Sequence, residues 1–156
     1  MELRARVTAA VKQAMKDKAS ERLSTLRLMN AAFKDRDIAA RATSAESEEA
    51  GVSEADLLAI LGKMVKQRRE SAKSYEEAGR LDLAEQELAE IAVIEEFLPR
   101  ALSSKEVEAA VDAAVSQVGA QSIRDMGRVM GVLKEKYTGQ MDFGAVGPMV
   151  KTRLAG

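Results

Sequence analysis

The chain has 156 residues, of which 46% are hydrophobic and 31% charged, with a formal net charge of −1. That is the composition of a folding globular protein rather than a disordered one, and its length suits one ordinary domain or two small ones. It contains no Cys and no His, which excludes disulfides, thiol nucleophiles, thiolate or imidazole metal ligands and histidine acid/base chemistry.

No apolar run approaches the roughly 20 residues needed to cross a bilayer, and the segment Met1-Glu2-Leu3-Arg4-Ala5-Arg6 lacks the apolar stretch of a signal peptide. A cytoplasmic protein with no membrane contact is therefore expected. The five aromatics are Phe33, Tyr75, Phe97, Tyr137 and Phe143, so the core must be aliphatic. Leu, Val, Met and Ala recur at helical rather than strand spacing, and an all-α fold follows.

Leu3, Val7, Val11, Ala14 and Met15 form one apolar helix stripe, and Leu23, Leu26, Met29, Ala32 and Phe33 form a second after the polar break from Lys16 to Ser20. These two predict an antiparallel helix pair. Arg41 to Gly51 has almost nothing to bury and reads as an exposed loop. Ser53, three residues before Asp56, caps a third helix bearing Leu57, Ile60, Leu61, Met64, Val65, Ala72 and Tyr75, and Gly79 ends it. Asp82 with Glu85 is expected to cap a fourth, lined by Leu83, Leu88, Ile91, Ile94 and Leu98 and stopped by Pro99; with the third it makes a hairpin.

Beyond Pro99 the elements shorten. Ser103 with Glu106, and Ser122 with Asp125, are capping boxes that open two helices, the first of which Gly119 closes. The last helix either begins at Asp142 with Pro148 in its second turn, or restarts at Pro148 after a short turn. The expected organisation is an N-terminal helical hairpin domain of about four helices over residues 1–98 and a three-helix domain over residues 103–156.

Charge is distributed unevenly. Residues 76–96 carry eight acidic side chains and one basic, residues 62–73 five basic and one acidic, and residues 121–156 six basic and three acidic. Lys66, Arg69 and Lys73 share a helix face and can meet phosphates with Tyr75 stacking a base, or they can pair across the hairpin with Glu76, Glu77, Glu85 and Glu87. Gly127 and Gly131, four apart on one helix face, each cost about 1 kcal/mol relative to Ala. Either a neighbouring helix packs backbone to backbone there, or a nucleic acid lies on a bare surface flanked by Arg124, Arg128, Lys134 and Lys136. Asp142-Phe143-Gly144 matches a kinase magnesium tripeptide without its companion motifs, and its carboxylate serves most simply as a helix cap. The glutamates of residues 76–96 lack the Glu-x-x-His pairs of a di-metal bundle.

The segments Leu98-Pro99-x-x-Leu102-Ser103, Gly119, Asp125-Met126-Gly127-Arg128-Val129-Met130-Gly131, Gly139 with Asp142, and Val150-Lys151-x-x-Leu154 resemble the GatB/YqeY family. The N-terminal half, with Arg27-Leu28-Met29-Asn30-Ala31 and Lys66-Gln67-Arg68-Arg69-Glu70-Ser71, is similar to its stand-alone YqeY-like members. The resemblance implies a C-terminal domain related to the tail of the B subunit of glutamine-dependent aspartyl/glutamyl-tRNA amidotransferase, a carbon-nitrogen ligase with glutamine as amido-nitrogen donor. That tail contacts tRNA in the family. Gly127, Arg128, Met130, Gly131 and Lys151 match the pattern, while Gly147-Pro148 departs from the usual polar residues.

The sequence holds no phosphate-binding Gly-x-x-x-x-Gly-Lys-Ser/Thr loop and no cysteine nucleophile. No autonomous catalytic site, cofactor or metal is therefore expected. The expected role is a tRNA-associated accessory module whose binding residues are Arg124, Gly127, Arg128, Gly131, Lys134, Lys136 and Lys151. The alternative is a protein-interaction module in which the N-terminal hairpin docks an aminoacyl-tRNA synthetase or amidotransferase subunit, and a homodimer is a further expectation.

Overall fold

A computed structural model describes residues 2–43 and 52–155. These form seven α-helices joined by turns, with one 3-10 turn and no strand among the described residues. The all-α expectation of four helices followed by three is therefore met. The chain divides into two compact units, Met1–Leu98 and Pro99–Gly156.

The first unit begins with α1 (Leu3–Lys16) and α2 (Ser20–Thr43). Their connection is closed by Lys18 at φ 56°, the one described non-glycine residue in the left-handed region, with Ala19 N donating to Ala14 O at 3.0 Å. Helix α2 runs further than expected: Arg41, Ala42 and Thr43 are helical, because the Ala-rich segment leading to them has high helix propensity. The rest of the expected loop, residues 44–51, lies outside the described residues.

Helix α3 (Glu54–Glu77) starts with the expected Ser53–Asp56 capping box and ends where Gly79 takes φ 76°. Gly79 N donates to Glu76 O and Arg80 N to Tyr75 O, the paired bonds that satisfy the last carbonyls of a helix. The chain then passes directly into α4 (Leu81–Glu95). Because the turn leaves Arg80, not Asp82, at the N-cap, the expected Asp82–Glu85 cap does not form. Asp82 sits in the first turn, where its charge suits the helix dipole, 3.6 Å from Arg80. The stripes converge as the periodicity requires: Val7, Leu26, Met29, Phe33, Leu61, Ile94 and Phe97 share one buried cluster.

The second unit comprises α5 (Ser104–Val118), the 3-10 turn Ile123–Asp125, α6 (Met126–Tyr137) and α7 (Phe143–Ala155). Helix α5 carries the Ser103–Glu106 capping box and closes on Gly119 at φ 69°. Arg100 grips Glu106 with two bonds of 3.0 and 2.8 Å. That bond first, and then the Ser103 amide, lower the Glu106 carboxyl from 4.5 to about 2. The core is small-sided: Ala110, Val111, Ala114, Val129, Leu133, Val146 and Val150, with Tyr137 and Phe143 packed against it.

Pro148 does not restart the last helix. Helix α7 runs continuously through it from Phe143. The start is fixed by Asp142, whose Oδ1 accepts from Gly144 N at 2.9 Å and whose carbonyl accepts from Val146 N at 3.0 Å. The residue four before Pro148 is Gly144, which is exposed, so the carbonyl that loses its partner can be hydrated.

Candidate nucleic-acid interface

The 3-10 turn and α6 present one continuous outer surface. Asp125 Oδ2 accepts from Gln121 N at 2.9 Å and Ser122 N at 3.3 Å, so this carboxylate folds the entry to α6 back on itself. Its Oδ1 accepts from the Arg128 guanidinium at 2.6 Å. The Gln121 amide, followed by Arg128, holds the Asp125 carboxyl below its ordinary value. Val129 and Leu133 are buried on the opposite side of α6, which fixes what remains outside.

What remains includes Gly127 and Gly131, both exposed. A Cβ built at either meets nothing within 4 Å. Backbone-to-backbone packing of a neighbouring helix is therefore not the reason for these glycines among the described residues. They leave about 6 Å of bare helix backbone along one side of α6. At 100° per residue, Lys134 lies on the same side as the glycines and Arg128 on its flank. Arg124 precedes them in the 3-10 turn. The Arg124 and Lys134 side chains are exposed and have no hydrogen-bond or ion-pair partner among the described residues.

The other two expected residues are placed differently. Lys136 lies on another side of α6 and donates to Gln117 Oε1 at 3.0 Å. Lys151 is exposed on α7, one turn beyond the buried Gly147, whose added Cβ would lie 3.8 Å from the Met126 side chain. Arg153, roughly 200° around α7 from Lys151, is instead bound to Asp112 at 2.9 Å. Arg124, Gly127, Arg128, Gly131 and Lys134 are thus brought together on one surface, while Lys136 is turned away from it and Lys151 stands on a separate helix.

The basic run on α3 behaves as a charge seam, with partners other than those expected. Arg68 Nε pairs with Glu90 at 2.9 Å and Arg69 with Glu95 at 2.6 Å. Glu76 and Glu77 lie on α3 itself, beside the Gly79 turn, so they cannot meet that run across the hairpin. No group of three acidic side chains among the described residues is arranged to hold a metal, and no described helix is long and apolar enough to cross a membrane.

One charged surface escaped the regional comparison of charge. Residues 3–43 carry ten basic and four acidic side chains, and that imbalance was the available signal. Arg27, Lys34 and Arg41 recur every seven residues along the exposed side of α2 and have no ion-pair partner among the described residues.

No curated protein matches the chain. The family model for Yqey-like protein matches residues 4–154, spanning both units. On that match over nearly the whole chain, this protein belongs to the Yqey-like family.

Proposed function

We propose that this protein is a non-catalytic, cytoplasmic, tRNA-associated accessory module that binds RNA phosphates through the outer surface of α6. The observation that carries this function is the exposed glycine pair flanked by Arg124, Arg128 and Lys134. Two glycines weaken a helix by about 2 kcal/mol in total, and no neighbouring side chain or backbone among the described residues requires them. A close-approaching ligand accounts for that cost, and phosphate is a ligand that the exposed Arg124 and Lys134 cations attract. The resemblance of Asp125–Gly131 to the amidotransferase B-subunit tail favours tRNA as the RNA and amide transfer on charged tRNA as the process assisted.

The test is a tRNA titration at low and moderate salt, comparing wild type with Arg128→Glu plus Lys134→Glu. Binding through about three phosphates gives a log–log salt slope of about −2 to −3. The double variant removes that binding. A wild type that does not bind, or binds without salt dependence, rejects the proposal.

A second function is favoured by a different observation: Leu81 and Leu88 on α4 are 62% and 47% exposed. The N-terminal hairpin is then a protein-docking element, with a synthetase or amidotransferase subunit as its partner. Pull-down of such a subunit that survives nuclease treatment supports it.

A further inference from the structure

The three cations around the bare side of α6 are not equivalent. The Arg124 and Lys134 side chains have no partner among the described residues, whereas Arg128 commits one guanidinium nitrogen to Asp125 Oδ1 at 2.6 Å. A short charge-assisted bond of this kind is the bond that a phosphate oxygen would make in the same place. Asp125 is thus an internal anion beside a surface proposed to receive an external one.

The two ends of this pair are held differently. The other oxygen of Asp125 accepts from Gln121 N at 2.9 Å and Ser122 N at 3.3 Å, and its side chain is only 21% exposed. Those amides belong to the turn that leads into α6, and they fix the carboxylate in position. Arg128 has no such tether: its side chain is 63% exposed, and its guanidinium has no second partner among the described residues. When the pair opens, the guanidinium moves and the carboxylate stays. A guanidinium has further N–H groups to offer, but a phosphate that takes them brings its own charge against Asp125. Retaining Asp125 and engaging phosphate fully therefore oppose each other.

We infer that Asp125 is the positioning residue of this site, folding the turn that carries Arg124 while withholding Arg128 until phosphate displaces it. The inference rests on the reading of α6 as the RNA-binding surface. In the free protein two cations are available and the third is occupied. In the complex all three meet phosphates, and Asp125 keeps only its two backbone amides. Because the internal bond breaks as the external one forms, Asp125 sets how tightly the site binds without itself contacting RNA.

The experiment is a titration of the full chain with mixed tRNA over a range of salt. It compares wild type, Asp125→Asn, Arg128→Gln and the variant carrying both. The first substitution keeps an oxygen for the Gln121 and Ser122 amides and is well tolerated at a helix start. It therefore releases Arg128 and preserves the turn, which circular dichroism checks. Asp125→Asn is expected to bind about threefold or more tightly, on the scale of an exposed ion pair. Its salt slope should equal that of wild type, because the same phosphates are contacted. Arg128→Gln should make the log–log slope shallower by about 1. In that background Asp125→Asn should give less than half its gain, since no guanidinium remains to be released.

Weaker binding by Asp125→Asn overturns the inference, because Asp125 then aims Arg128 at phosphate instead of withholding it. Unchanged binding overturns it too, as does a full gain without Arg128, which makes Asp125 no more than a repelling charge. In each of these cases wild type still binds and the α6 reading stands. A wild type without salt-dependent tRNA binding rejects that reading, and this inference with it.

Discussion

Phe33, Leu26, Met29, Leu61 and Ile94 fill the centre of the first unit, whereas the second offers Leu133, Val129 and Val150 as its largest fully buried side chains. Burying a large aliphatic or aromatic side chain contributes about 1.5–3 kcal/mol, and buried alanines contribute much less. The second unit compensates locally. Its starts are pinned by two capping boxes, the Arg100 clamp on Glu106 and the Asp142 turn. A small helical unit can thus lean on its helix ends where a larger one leans on its interior.

Truncation of the interior sharpens this contrast most. Phe33→Ala should destabilise the first unit by about 3–5 kcal/mol, against about 2–4 kcal/mol for Leu133→Ala in the second. Thermal unfolding followed by circular dichroism measures both, and equal losses would break the comparison. Ser103→Ala should cost about 1 kcal/mol by removing a cap. The loss should appear in the second unit's transition, and a shift in the first unit's would contradict it.

Gly131→Ala should instead stabilise α6 by about 1 kcal/mol, since the added methyl meets nothing and the helix gains propensity. The same substitution should weaken tRNA binding, so a variant that is more stable and binds equally well would free the glycine from any role in close approach.

The smallest effect concerns acid. Glu106 has its carboxyl depressed in the folded state, so its contribution to stability is present above its unfolded value of 4.5 and is lost as pH falls toward about 2. Glu106→Gln should flatten the acid limb of the second unit's stability over that window. An unchanged acid limb would show that the Arg100 clamp is not linked to folding.

The parts of this fold that were legible in the sequence are those decided within a few residues. Ser53–Asp56, Ser103–Glu106 and Ser122–Asp125 are caps because a side chain and an amide three apart satisfy each other. Gly79 and Gly119 are turns because both take a left-handed conformation. Expectations that depended on a neighbouring element fared worse. Asp82 looked like a cap until the Gly79 turn set the start of α4 one residue before it. Arg68 finds Glu90 and Arg69 finds Glu95 because hairpin register, not proximity along the chain, chooses the partner. The openness around Gly127 and Gly131 depends on where α5 and α7 lie, and spacing cannot convey that.

The two tyrosines give this architecture an optical consequence. The chain has no tryptophan. Tyr137 packs against the core of the second unit, while Tyr75 is half-buried at the end of α3 in the first. Near-ultraviolet circular dichroism and intrinsic fluorescence therefore arise chiefly from one chromophore in each unit. Removing either phenol hydroxyl as Phe leaves a spectrum that reports largely on the other unit, with no dye or label attached.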